Sequence, residues 1–244
     1  MTAMLHAQGL VRSFGDERAV DGVDLVVDQG EVHAIVGLNG AGKTTLMRLL
    51  LGMLRSDQGT AFIGGTDVTS AGASTWGNVG YLVETPFSYP ELTTRENVTV
   101  AGILHGLEKA ALESAVTEVI AMLELGHWAD RRARGLSMGN RQRLGLAAAL
   151  VHQPAVLLLD EPANALDPAG VVLVRDLLRD LAGRGAAILV SSHHLDQLAR
   201  VADVITVMHR GRVVGGLNPT EHDLEQRFFD LVRVADERIP LEQR

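Results

Sequence analysis

Gly37-Leu38-Asn39-Gly40-Ala41-Gly42-Lys43-Thr44-Thr45 is the stretch from which the rest of the chain can be read. It fits the phosphate-loop pattern in full: a glycine, four free positions, then Gly-Lys-Thr. Its surroundings agree. Val32 to Val36 before it is an apolar run of strand length, and Thr45 to Leu54 after it sets leucines and a methionine on one helical face. Glycines let the backbone curl and bring successive N–H groups close to phosphate oxygens. The N-terminus of the following helix adds a partial positive charge. In this pattern Lys43 reaches the β- and γ-phosphates, and the Thr44 hydroxyl is placed to ligate Mg²⁺. A chance glycine-rich turn is the alternative, and strand, loop and helix standing in register argue against it.

The composition leaves room for such a site. A chain of 244 residues, 46% hydrophobic, buries a full core as one large domain or as a domain with a subdomain. No apolar run approaches the roughly 18 residues that span a bilayer. Met1 to His6 has no basic segment leading into an apolar core, so no secretory signal is expected and the predicted location is the cytoplasm. The absence of cysteine excludes disulfides and thiolate metal sites. A net charge of −8 argues against nucleic acid as the main partner, while nucleotide binding needs only a local charge match. Lys43 and Lys109 are the only lysines, so the loop lysine is not one of a crowd.

In order along the chain, residues 3 to 27 read as two strands around a turn at Phe14-Gly15-Asp16. Phe14 is either a core aromatic or a face on which adenine stacks. Thr60 to Ile63 and Asn78 to Val83 are further strands, and residues 66 to 76 read as loop or frayed helix. Glu84 to Pro90 is a proline-bounded loop. From Leu92 to about Leu125 the periodicity is helical, opened by a capping signal at Thr93 or Thr94 with Glu96. Residues of about 85 to 150 therefore read as helices inserted into an αβ core.

Asp130 to Gly135 is a basic loop, read by itself as solvated. Beside it, Leu136-Ser137-Met138-Gly139-Asn140 opens a helix whose serine, glycine and N-terminus suit an anion. Ala155 to Leu159 is an uninterrupted apolar run, as in a central parallel strand, ending in Asp160-Glu161. Carboxyl ends of such strands are where open α/β sheets place ligands. The two side chains point opposite ways, so equal roles are not expected. Asp160 is the candidate to hold Mg²⁺ and Glu161 to deprotonate an attacking water; the alternative is a solvated acidic turn. Asp167 before Pro168 reads as a helix cap. Ala187 to Val190 is another buried strand, ending Ser191-Ser192-His193-His194. Adjacent histidines rarely aim at one ion, so one of them is read as a γ-phosphate sensor. Asp203 to Val214 is a hairpin turning at Arg210-Gly211, and the charged segment from 219 to 244 holds an amphipathic helix around Leu224 to Val232.

Together these residues resemble the ATP-binding subunit of an ABC transporter, over residues from about 3 to 216. Gly37 to Thr45 is similar to Walker A, Leu136 to Asn140 to the signature motif, Val156 to Asp160 to Walker B, and Asn164 to Asp167 to the D-loop. The resemblance implies adenine stacking on Phe14, catalysis by Glu161 and a switch role for His193; the choice of His193 over His194 comes only from it. The family usually has glutamine where Glu84 stands, and Ser-Gly-Gly-Gln where Ser137-Met138-Gly139-Asn140 stands. Glutamate in that loop and methionine in the signature are similar to the bacterial subfamily that exports peptide antibiotics, including the bacitracin and lantibiotic self-protection type. Glu84 can still offer Mg²⁺ an oxygen. Asn140 is one methylene shorter than glutamine.

The fold implied is α/β: a phosphate-loop NTPase core with a central, mostly parallel sheet, an N-terminal antiparallel β subdomain and an inserted helical subdomain. Residues 1–84 and 151–216 would form the core, 85–150 the helical subdomain and 217–244 a tail. Also implied are ATP and Mg²⁺ as cofactors, a head-to-tail pairing with a second copy or a homologous subunit, and a separate membrane permease that keeps the chain on the inner face of the membrane. ATP on one Walker A would be covered by Ser137 and Gly139 of the partner. A soluble ABC ATPase acting on DNA or the ribosome is a poorer fit, since no sustained heptads separate Walker A from the signature and only one set of motifs is present. A regulatory ATPase without transport, and an importer, fit the same motifs.

Overall fold

The computed structural model describes residues 2–193, 195 and 199–237. Two sheets form the frame. The N-terminal one is antiparallel, built from β1 (Ala3–Phe14), β2 (Glu17–Asp28), β4 (Gln58–Ile63) and β5 (Thr66–Asp67) in the order β2-β1-β4-β5. The central one takes β3 (Val32–Val36), β6 (Val79–Leu82), β7 (Val156–Asp160), β8 (Ala187–Ser192), β9 (Val204–His209) and β10 (Arg212–Leu217), in the order β10-β9-β3-β8-β7-β6. All neighbours in it are parallel except the edge pair β9–β10. The α/β class with an antiparallel N-terminal sheet is thus the observed one.

Strands β3, β7 and β8 are buried along their whole length, as their unbroken apolar runs require. Alternation sends their side chains into two separate cores. Val32, Ala34, Val36, Leu157, Leu159, Ile188 and Val190 face one core, and Ile35, Val156, Leu158, Ala187 and Leu189 face the other. Leu46, Met47, Leu49 and Leu50 of α1 (Lys43–Leu50) fill the second core under the antiparallel sheet. Burying these four contributes on the order of 6–12 kcal/mol as an upper estimate. The first core is covered by α5 (Met138–Leu150), α6 (Pro168–Gly183) and α7 (Leu224–Glu237). Between β6 and β7 lie the short connection into α3 (Thr94–Leu104) and α4 (Lys109–Met122), and α3 and α4 pack with α5 through Val98, Val116, Ile120 and Leu144. The one-turn α2 (Ala73–Trp76) precedes β6.

Local signals placed most ends. Thr93 caps α3 in a full capping box with Glu96, and Asp167 caps α6 ahead of Pro168. Four details differ from expectation. α1 begins at Lys43 because Gly42, in the left-handed region at φ +99°, turns the chain into it. It stops at Leu50 because Gly52 at φ +64° accepts the left-handed exit, short of Leu54. Residues 66 to 76 hold a two-residue strand and one helical turn, with Asp67 closing the turn on Thr69. Helix α7 runs past Val232 to Glu237, and residues 238–244 of the tail lie outside the described residues.

Candidate functional site

The loop between β3 and α1 is held by backbone contacts that exclude side chains. A Cβ on Gly37 would stand 2.4 Å from the Met208 carbonyl oxygen, and one on Gly42 would stand 2.2 Å from that of Ala19. Gly40, also left-handed at φ +79°, faces open space. Lys43, only 7% exposed, folds back over the loop and donates from Nζ to Gly37 O at 2.7 Å and Leu38 O at 3.3 Å. Burial pushes its ammonium below the ordinary lysine range, opposed by the charges of Glu161 and Asp160. Asn39 is exposed, and Thr44 and Thr45 begin the first turn of α1.

Strand β8 stands between β3 and β7, so its carboxyl end lies between the loop and the two acids. Asp160 shares the face of Val156 and Leu158, the face covered by α1. Its Oδ2 accepts the Thr44 hydroxyl at 2.6 Å, and its Oδ1 accepts the Ser191 hydroxyl. Glu161 leaves the strand at φ +50°, a left-handed position that costs a non-glycine residue strain. Four hydrogen bonds hold it there: its N–H is shared between Ser191 Oγ at 3.1 Å and Ser191 O at 3.2 Å, and its carbonyl accepts Asn164 N–H at 3.0 Å and Gln142 Nε2 at 3.3 Å. The turned backbone sends its carboxylate elsewhere than Asp160. Oε1 lies 4.0 Å from Lys43 Nζ and Oε2 lies 2.9 Å from His193 Nδ1. Lys43, Thr44, Asp160, Glu161 and His193 therefore form one cluster at the carboxyl end of the sheet. His194 lies outside the described residues.

The other expected residues lie around this cluster. Ser137 caps α5, its Oγ accepting Asn140 N–H at 3.2 Å, and Met138 is 64% exposed. A Cβ on Gly139 would come within 2.9 Å of the Ala165 carbonyl oxygen, so the helix tip sits on the loop after β7. Asp167 accepts Gly170 N–H at 2.9 Å and lies 3.7 Å from Arg143. Among the described residues no hydrogen bond or ion pair joins Ser137–Asn140 to Gly37–Thr45. Phe14, at the end of β1, is half exposed and carries the Arg12 guanidinium 5.0 Å over its ring. Glu84, left-handed at φ +68°, pairs with Arg48 and bonds neither Thr44 nor Asp160.

Three contributors were not singled out from the sequence. Ser191 holds both acids: its hydroxyl donates to Asp160 Oδ1 and accepts the Glu161 N–H. Gln142 is buried and also donates to Pro162 O at 3.1 Å, which ties α5 to the Glu161 turn. An amide on the inward face of a helix of small and apolar residues was the available signal. Arg48 had none beyond its place in the last turn of α1.

A family model described as ABC transporter matches residues 20–164. The bacitracin transport ATP-binding protein BcrA of Enterococcus faecalis is 35% identical over 242 residues, 98% of this chain and 77% of that protein. The daunorubicin resistance ATP-binding protein DrrA3 of Streptomyces coeruleorubidus is 38% identical over 86% of this chain and 66% of its own length. Among solved structures, an ATP-binding subunit of an ABC transporter superposes with a TM-score of 0.83 at 28% identity, covering 94% of both chains.

Proposed function

The chain belongs to the ABC transporter family and is an ATPase of that type, and from that premise we propose that it drives an exporter of drugs or peptide antibiotics by pairing around ATP. The observation that carries the reading is the Lys43–Glu161–His193 cluster beside the Thr44–Asp160 pair. The export direction and substrate class rest on the relatives' names and on Glu84 and Met138.

The residues then divide the work. The N–H groups of Gly40 to Thr45 cradle the phosphates, and Lys43 exchanges its loop carbonyls for phosphate oxygens. Phe14 offers its ring to adenine. Glu161 takes a proton from a water whose oxygen attacks the γ-phosphorus, and the bond from that phosphorus to the β–γ bridging oxygen breaks, giving ADP and phosphate. His193, donating from Nδ1, fixes the Glu161 carboxylate against its strained backbone. Thr44 and Asp160 supply oxygens of the kind Mg²⁺ prefers, and the pair fits such an ion. Bound there, Mg²⁺ would neutralise phosphate charge. Glu84 would have to leave Arg48 to join it.

Among the described residues Ser137 to Asn140 makes no hydrogen bond or ion pair with its own loop, which suits covering the nucleotide of a second copy, with Asp167 at the seam. ATP then joins two subunits and hydrolysis parts them, a γ-phosphate switch. The helices of residues 85–150 would relay closure to a permease. Phe87, Tyr89, Ile103 and Leu104 are exposed there, and no helix among the described residues is long and apolar enough to cross a membrane. The chain would thus lie on the cytoplasmic face.

Sedimentation tests the pairing. Glu161→Gln with ATP should run as a dimer, and Glu161→Gln with Ser137→Arg as a monomer that still binds ATP. A monomeric Glu161→Gln protein saturated with ATP defeats the reading. Co-purification with a soluble protein instead of a multi-span one would favour a regulatory ATPase.

A further inference from the structure

Three residues of the phosphate loop rest on one turn. The hairpin of β9 and β10 reverses through Arg210-Gly211, with φ +46° and +78°. Left-handed values at both central positions mark a type I′ turn. Gly211 N–H donates to Ala41 O at 2.9 Å, and its own carbonyl accepts Asp21 N–H at 2.8 Å. A Cβ on Gly42 would lie 3.3 Å from Gly211 Cα. Just before the turn, the Met208 carbonyl closes on Gly37.

Glycine adopts such a backbone without strain, and arginine does not. The hold on Arg210 comes from the far end of the chain. Asp236 of α7 places Oδ1 2.9 Å from His209 Nε2 and 3.3 Å from Arg210 Nη2. The helix that carries it is seated by Phe228 and Val232, both buried, and by Leu231, which meets Gly215 so closely that a Cβ there would lie 2.8 Å away. One carboxylate thus spans the residue before the turn and the strained residue within it.

We propose that Asp236 is a positioning residue for the phosphate loop: from α7 it braces the His209–Gly211 turn, and the turn sets where Ala41 and the neighbouring N–H groups meet the nucleotide. This rests on Gly37–Thr45 being the nucleotide site. Asp236 acts on the loop through the His209 and Arg210 side chains and the backbone of their turn, which meets the loop at Ala41 and Gly42. Its effect therefore falls on nucleotide affinity and not on the hydrolytic step.

The test uses the full chain, with Kd for a fluorescent ATP analogue, KM for ATP and kcat. Asp236→Asn should raise Kd and KM about three- to fivefold, near the most that a partly exposed ion pair carries, with kcat unchanged. Asp230→Asn, on the same helix but paired with Arg233, should change neither. Arg210→Gly removes the strained residue, so adding Asp236→Asn to it should have little further effect. Wild-type affinity in Asp236→Asn, an equal loss in Asp230→Asn, or full additivity with Arg210→Gly overturns the proposal. Lys43→Ala separates the two readings. If it loses ATP while Asp236→Asn binds normally, only the brace fails; if it binds ATP like wild type, the nucleotide site fails and the brace with it.

Discussion

Two helix tips in this molecule look alike as anion sites and are finished in opposite ways. α1 starts from Gly42, which brings no side chain to the first turn and leaves its amides unclaimed by any cap. α5 starts from Ser137, whose oxygen already accepts Asn140 N–H. The first tip is backed by Ala19, Met208 and Gly211 from other elements. The second rests on Ala165 and turns Met138 to solvent. A site that must grip phosphate by itself needs uncapped amides on a rigid floor. On the proposed pairing, the second tip would close over a partner's phosphate and could keep its own cap, because the proton of the same serine hydroxyl remains to donate.

The contrast can be broken at several points. Glu161→Gln should slow hydrolysis roughly 10²–10⁴-fold, the usual worth of a general base, while ATP still binds to the α1 tip; steady-state rates equal to wild type would remove Glu161 from the chemistry. Lys43→Ala strikes the first tip itself. A buried charge-assisted contact carries about 2–5 kcal/mol, so titration calorimetry should show ATP affinity falling at least about 30-fold. Gln142→Leu removes the amide that donates to both Glu161 O and Pro162 O at the join between α5 and the Glu161 turn. Denaturant unfolding should register a loss of about 1–3 kcal/mol, with kcat lowered and ATP binding by the single subunit intact.

Ser137→Ala sharpens the distinction between the tips. Losing the cap should cost about 1 kcal/mol of stability and weaken the ATP-dependent dimer, yet leave the affinity of one subunit for nucleotide as it was. A fall in that affinity would mean that the second tip serves its own loop. The far end of α5 gives an effect on stability alone, at acid pH. His152, just past it, stacks on His105 with ring centroids 3.6 Å apart, and burial first, then the neighbouring imidazole, push it down to about 4 from 6.5. The unfolded chain then binds the proton more readily than the folded one between those values, so stability is full above about pH 6.5 and declines toward pH 4. Melting temperatures of His152→Phe should be flatter across that window than those of wild type.

How much of this was legible in the sequence varies with the range of the forces involved. The phosphate loop was, because glycine spacing, strand and helix are all local. So was the cap at Asp167, and that of α3 to within one residue, Thr93 or Thr94, since caps depend on neighbours three residues away. The exit of α1 at Gly52 is not legible, because helical periodicity continues past it. Ser191 was passed over because a serine at a strand end is unremarkable until strand order puts it between two acids.

By itself the sequence determined the strand-loop-helix unit, the buried parallel strands and the order of the motifs, since backbone geometry and side-chain period act over a few residues. Only the tertiary structure decided that β8 comes between β3 and β7, that Glu161 meets Lys43 and His193, and that a turn near the C-terminal end holds up the loop near the N-terminal end. Those are contacts between residues far apart in the chain, fixed by sheet order and close packing, and no local pattern encodes them.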